Sequence, residues 1–293
     1  TLEYLRLIGD SMADSFATPL RYPGGKGRLG AWLSELISYN DLTGGCYIEP
    51  YAGGAGAAMY LLAQKKIARV VINDVDPIIH SFWWAVLNDN ENFLKLINET
   101  PLNIEQWHKQ KEIINSPDSY SLTEIGFASF FLNRTNRSGI IKGGVIGGQK
   151  QQGKYKIDAR FNRAGLAKRV EKIGKLREKI TLYNLDAIEL IKKIGDEKDH
   201  LYYLDPPYYK KGEQLYRNSY KHEDHATVAQ AVKDLNSPWL VTYDNCPEII
   251  NIYNWDKSFE FSLFYSTHLE RPIGKEICFY NGLEIQKKIY LKR

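Results

Sequence analysis

Residues 46–74 leave few folds open to this chain. Cys46-Tyr47-Ile48-Glu49 is a short run of strand character, Pro50-Tyr51-Ala52-Gly53-Gly54-Ala55-Gly56 is a glycine loop, and Ala57 to about Ala63 is an apolar helix. Val70-Val71-Ile72 follows as a second strand, ending at Asn73-Asp74. Strand, glycine loop, helix and strand in this order are the nucleotide-binding arrangement of a doubly wound α/β sheet. The glycines let a ligand approach the backbone closely. An acid about 20 residues beyond them, at the tip of the second strand, is where ribose hydroxyls are held. Asp74 stands at that place. Glu49 immediately precedes the loop and would repel phosphates. The loop therefore suits a cationic ligand better than a dinucleotide's pyrophosphate.

A second strand end carries different chemistry. Leu201-Tyr202-Tyr203-Leu204 reads as a buried strand and runs into Asp205-Pro206-Pro207-Tyr208. Two consecutive prolines lack N–H groups and stop the strand in a stiff loop. One reading is a strand-ending turn with a surface tyrosine. The other is a grip on a planar amine. An amino group conjugated to a ring is a poor nucleophile because its lone pair is delocalised. The Asp205 carboxylate and the Pro206 carbonyl could hold its two hydrogens and favour a tetrahedral nitrogen, while Tyr208 stacks on the ring. In open α/β sheets this carboxyl edge is where ligands bind.

Further along, Pro23-Gly24-Gly25-Lys26-Gly27 opens a helix from Leu29 to Tyr39. A simple loop-to-helix junction and a backbone cradle for an anion or ligand carboxylate both fit it. The P-loop pattern is absent. Ile78 to Leu94 reads as one aromatic-rich helix whose Phe82, Trp83 and Trp84 belong to core packing. Leu166 to Lys179 reads as an amphipathic helix, Ala226 to Leu235 as another, and residues 258–292 as alternating strand-like segments. Ile180 to Leu185 is a strand ending at Asp186, a second acid at a strand end.

Charge is concentrated. Between Arg134 and Arg169 there are ten Lys or Arg and one acid, Asp158, so this window carries +9 of a net +4 and the remainder about −5. Asn133-Arg134-Thr135-Asn136-Arg137-Ser138-Gly139 and the glycine pairs at 143–144 and 147–148 read as loops or an irregular hairpin. A solvated basic surface is the plain reading. Interleaving of Lys154, Lys156, Arg160 and Arg163 with Tyr155 and Phe161 favours a polyanion partner.

The 293 residues are 43% apolar and 25% charged, ordinary for a globular chain with a large core. No run approaches the ~18 apolar residues of a membrane span. Thr1 to Thr18 lacks a secretory pattern and reads as an extension. Cys46, Cys246 and Cys278 are odd in number and widely spaced, which fits neither a disulfide framework nor a zinc cluster. A reducing, cytoplasmic setting is expected, with no metal.

In order, these segments resemble the Dam-type DNA adenine methyltransferases. Arg21-Tyr22-Pro23-Gly24-Gly25-Lys26 is similar to the family's N-terminal motif, Tyr47 to Gly56 to its donor loop and Ile72-Asn73-Asp74 to its ribose acid. Phe131-Leu132-Asn133-Arg134-Thr135 resembles the start of the DNA-reading segment, and Leu204 to Tyr208 the catalytic loop. The resemblance implies a Rossmann-like S-adenosylmethionine-dependent sheet with helices on both faces and a smaller inserted DNA-recognition subdomain. Residues 19–95 and 166–293 would form the catalytic domain, and residues 96–165 the insertion. It implies transfer of a methyl group from S-adenosylmethionine to adenine N6 in double-stranded DNA, with the base flipped out. Asp205, Pro206 and Tyr208 would be catalytic. Tyr22, Pro23, Gly24, Gly25, Lys26, Glu49, Pro50, Tyr51, Ala52, Gly53, Gly54, Gly56, Asp74, Asp186 and Asp205 would hold the donor. Asn133, Arg134, Asn136, Arg137, Lys142, Lys154, Lys156, Arg160, Asn162 and Arg163 would face DNA. A cognate restriction endonuclease is an open partner. An RNA adenine methyltransferase, a DNA cytosine-N4 methyltransferase and a silent nucleic-acid-binding module are the alternatives. Beyond Phe161-Asn162 the recognition segment departs from members that methylate GATC, so it names no target sequence.

Overall fold

In the computed structural model, residues 18–21, 26–210, 220–255, 257–264 and 273–285 are described. Seven strands form one sheet: β1 Cys46–Glu49, β2 Arg69–Asn73, β3 Ile180–Tyr183, β4 His200–Leu204, β5 Trp239–Asp244, β6 Lys257–Phe264 and β7 Ile273–Asn281. Their order is β3-β2-β1-β4-β5-β7-β6, with β1 to β5 parallel and β7 antiparallel to both of its neighbours. The chain reverses its winding between β1 and β4. Both strands deliver their loops to that crevice, where ligands bind in open sheets.

Parallel strands need cover on both faces, and their residues alternate between two cores. Tyr47, Val70, Ile72, Tyr203 and Leu240 point into one. Cys46, Ile48, Val71, Tyr202, Trp239 and Val241 point into the other. The second core is closed by α8 (Ala187–Ile194), α9 (His222–Lys233) and α10 (Pro247–Ile252), through Leu190, Val228, Val232 and Ile249. The first is closed by α1 (Gly30–Tyr39), α2 (Gly56–Ala63) and α3 (Pro77–Asn88).

The predicted helix over 78–94 is two helices. Asp89 leaves helical geometry at φ −135°, and α4 (Asn90–Glu99) starts beyond it. The Asp89 carboxylate accepts from Asn92 at 2.7 Å and from Thr123 at 2.6 Å, so the break is anchored by side chains. Then come α5 (Ile104–Asn115) and α6 (Leu122–Thr135), the latter opened by a Ser121–Glu124 capping box. Phe82 of α3 stacks on Phe130 of α6, and Phe93 of α4 meets Phe127 and Phe130 edge-on. These aromatic pairs continue the first core into the 96–165 region. Helix α7 covers Arg163–Gly174, earlier than the 166–179 expected, because Asn162 supplies its N-cap. Residues 258–292 resolve, within the described part, into β6 and β7.

Candidate active site

The glycine loop is held from four directions. The Ala52 N–H donates to the Asn73 carbonyl at 2.8 Å and the Gly53 N–H to Asp74 Oδ2 at 2.9 Å. Asn73 Nδ2 reaches the Pro50 carbonyl at 2.9 Å, and Trp83 Nε1 donates to the Gly53 carbonyl at 2.8 Å. Gly53 adopts φ +46°, a conformation that favours glycine. At Gly56 an added Cβ would lie 3.0 Å from the Gly27 Cα, so the short 3-10 helix Lys26–Leu29 abuts the glycine loop.

Two carboxyl groups face this crevice from the strand ends. Glu49 is buried; its Oε1 accepts from the Tyr47 hydroxyl at 3.1 Å, and its Oε2 is buried without a hydrogen-bond partner. Burial pushes this carboxyl up to about 8, against the Tyr47 hydrogen bond, with the Asp205 charge adding to the rise. Asp74 is raised to about 7, chiefly by burial, against hydrogen bonds from the Asp76 and Gly53 amides. Asp186 caps α8 by accepting from the Ile188 N–H at 2.8 Å and lies at the same sheet edge. Tyr51 closes the other side, its hydroxyl 3.1 Å from that of Tyr220.

The Asp-Pro-Pro-Tyr loop leaves β4 beside β5 and is fixed by residues of β5 and β7. Thr242 donates its single proton to Asp205 Oδ1 at 2.8 Å, so the Tyr203 hydroxyl, 3.0 Å from Thr242 Oγ1, is the donor in that pair. Asp244 accepts from the Tyr209 N–H at 2.9 Å and the Lys210 N–H at 3.1 Å. The buried Tyr208 donates its hydroxyl to Glu276 Oε1 at 2.9 Å. The Asp205 carboxylate and the Tyr208 hydroxyl are thus set by neighbouring strands rather than by a ligand.

The structure brings Glu49 to Gly56, Asp74, Asp186 and Asp205 to Tyr208 to one sheet edge. Tyr22, Pro23, Gly24 and Gly25 lie outside the described residues, as do the side chain of Lys26 and all of the extension but Thr18. Sequence reasoning missed Asn73, Trp83, Thr242, Asp244 and Glu276. Glu276, an acid directly before the apolar run Ile277-Cys278-Phe279, was the one signal available for them.

The expected DNA face needs correction. Asn133 and Asn136 are buried and bonded to backbone: Asn133 to Arg21 and Gly139, Asn136 to Ile140 and Ile141. The Arg134 guanidinium is buried and donates to the Pro19 carbonyl. Its desolvation, with Arg169, Arg21 and Arg160 nearby, lowers it to about 9. Arg163 donates to the carbonyls of Ile97 and Thr100, and Asn162 caps α7. Arg163 and Asn162 thus serve groups left over at the end of α4 and the start of α7, and Asn133, Arg134 and Asn136 serve backbone groups of the flanking loops. Arg137, Lys142, Lys154, Lys156 and Arg160 remain exposed, around an irregular hairpin in which Asn136 bridges Val145.

The D12 class N6 adenine-specific DNA methyltransferase family matches residues 22–268. The chain belongs to this family. The D12-class chain is 25% identical over 205 residues to the type II methyltransferase M.MjaIII of Methanocaldococcus jannaschii, a stretch covering 64% of this chain and 68% of the relative. Among solved structures, a Pyrococcus horikoshii protein provisionally assigned as an RNA methyltransferase superposes with TM-score 0.45 at 10% identity, over 94% of this chain and 96% of the other. A precorrin-8W decarboxylase from Methanobacterium thermoautotrophicum gives 0.35 at 13%, over 87% and 89%. The D12-class chain is therefore a DNA adenine methyltransferase on a Rossmann-like α/β sheet. Its family implies S-adenosylmethionine as methyl donor. No helix of the described residues is long and apolar enough to cross a membrane.

Proposed function

We propose that this chain methylates adenine N6 within a specific site of double-stranded DNA, at the crevice between Glu49 and Asp205. The observation that carries the reading is the buried, unpaired Glu49 oxygen beside a glycine loop and a ribose-type acid. A buried carboxylate without a partner is costly, so the ligand-free protein keeps this group protonated. A cationic ligand removes that cost, and S-adenosylmethionine carries both an ammonium and a sulfonium. Bound there, it supplies an electrophilic methyl group. Pro50 to Gly54 and Gly56 would line the ligand, Asp74 would hold its ribose and Asp186 its base, and by the family resemblance Tyr22 and Lys26 would contact it.

The chain's own residues then act on the adenine. Asp205 and the Pro206 carbonyl accept from the target amine, turn its lone pair towards the methyl group and stabilise the positive charge that grows on nitrogen. Tyr208, its hydroxyl tethered to Glu276, offers an aromatic face to the base. Because N6 lies inside a duplex, the base has to leave the stack. Residues 96–165 serve as the recognition insertion, with Arg137, Lys142, Lys154, Lys156 and Arg160 meeting phosphates. A cognate endonuclease is the partner proposed from the type II relative.

The test is single-turnover methyl transfer with both substrates saturating. Asp205→Asn loses the charge and one acceptor oxygen, an interaction strongest in the transition state. Transfer should slow on the order of 100- to 1,000-fold, with donor and DNA affinity changed far less. Transfer near the wild-type rate would overturn the assignment of the loop. Methylation of RNA but not duplex DNA would overturn the substrate.

A further inference from the structure

We propose that Thr242 is a positioning residue for methyl transfer, fixing the plane of the Asp205 carboxylate against the target amine. The proposal rests on the reading of residues 205–208 as the catalytic loop. Thr242 touches neither substrate in that reading and acts through Asp205.

An aspartate at the end of a strand has little to hold it. The torsion that sets its carboxylate plane is broad, so the plane turns easily unless a neighbour fixes it. Here the neighbour belongs to the sheet. Leu204 pairs with Val241 in parallel register, which brings Thr242 alongside Asp205 as the next pair. Thr242 is itself paired with Cys278 of β7, so strands hold it on both sides. Its hydroxyl donates to Asp205 Oδ1 at 2.8 Å.

A second hydroxyl stands behind the first, that of Tyr203 at 3.0 Å from Thr242 Oγ1. An ionised carboxylate only accepts and threonine has one proton, so the protons point one way, from Tyr203 to Thr242 to Asp205. Hydrogen bonds in such a chain strengthen one another. Thr242 is 1% exposed and Tyr203 2%, so bulk water does not compete for either hydroxyl. Strand β1 carries a simpler version. Tyr47 stacks with Tyr203 at 6.2 Å between ring centres and donates directly to Glu49, two residues further on, at 3.1 Å. Asp205 also lies two residues beyond its tyrosine, but its side chain is one methylene shorter, and Thr242 bridges the difference.

The consequence falls on transfer rather than on binding. Two acceptors have to meet the two hydrogens of a single amine, and the Pro206 carbonyl is set by the backbone. Only the carboxylate can drift. When it does, base and donor keep their other contacts, but the nitrogen lone pair no longer faces the methyl group.

The test is transfer from radiolabelled S-adenosylmethionine to enzymatically amplified genomic DNA, which carries no methylated bases, in single turnover with both substrates saturating. Thr242→Val keeps the shape and removes the hydroxyl. The rate should fall about 10- to 100-fold, the loss of one hydrogen bond to a charged group. Affinities for S-adenosylhomocysteine and for DNA should stay within about twofold, as they do when an interaction matters chiefly to the transition state. Thr242→Ser should recover most of the rate. Thr242→Cys, a weak donor of similar size, should fall between the serine and valine proteins, and it serves if the valine packs badly. Action through Asp205 has its own signature: with Asp205→Ala in place, Thr242→Val should cost nothing further. Losses that multiply in the double variant overturn the proposal. So does a wild-type rate in Thr242→Val or Thr242→Cys, or a loss confined to substrate affinity. A wild-type rate in Asp205→Ala alone would instead defeat the reading of the loop on which the proposal stands.

Discussion

Asp74 shows how one side chain can serve a frame and a ligand together. Its carboxylate accepts from the Gly53 and Asp76 N–H groups, so it shapes the glycine loop, and in the proposed reading it also holds the ligand's ribose. Asp74→Ala should weaken S-adenosylmethionine binding by about 1.5–3 kcal/mol, the range for hydrogen bonds to a charged group. Calorimetry showing unchanged affinity in a folded variant would remove Asp74 from the site. At this scale the sequence was half legible. Asp74, Glu49 and Asp205 stand at strand ends in plain motifs, whereas Thr242, Asp244 and Glu276 lie 37 to 71 positions beyond Asp205 and become its neighbours only through strand order. Asn133, Arg134 and Asn136 misled for a related reason. Polarity in a basic stretch suggested a ligand, but the nearest unpaired groups were the chain's own carbonyls.

Among the elements, the basic hairpin beyond α6 separates charge from structure most clearly. Gln151 braces it internally, donating to the Ile146 and Gly148 carbonyls and accepting from the Ile157 N–H at 2.8 Å. Lys154 and Lys156 are exposed on its outer turn, where Tyr155 is 62% exposed. Replacing both lysines with alanine should lower DNA affinity and reduce the slope of log K against log salt by up to about 0.9 per lost phosphate contact. A slope equal to that of wild type would mean the two lysines meet no phosphate. Strands and the glycine loop were legible because their apolar runs are short and bounded by turn residues. The break at Asp89 was not, since the apolar period runs through it and only Asn92 and Thr123 reveal the anchor.

For the molecule as a whole, burying Glu49 ties stability to pH. The folded, ligand-free protein keeps a proton on this carboxyl up to about 8, while the ordinary value is 4.5. Between those values the folded state binds more protons than the unfolded one, so stability falls as pH rises through the window. Thermal melts from pH 5 to 8 should show that fall, and Glu49→Gln should flatten it, leaving the smaller part that Asp74 contributes. Equal slopes in the two proteins would show that Glu49 ionises freely. The α/β class was readable from the segment between Cys46 and Asp74, but the place of β7 was not, because nothing local specifies which strand it will pair with. That place has a temporal consequence. Strand β7 slots between β5 and β6, and it brings Glu276 to Tyr208 from 68 positions further along the chain. A nascent polypeptide that has emerged only as far as β6 carries every residue of the Asp-Pro-Pro-Tyr loop but not the strand against which Tyr208 is set. If that loop is the active site as proposed, activity is expected only once synthesis has passed β7, later than the appearance of the motif itself.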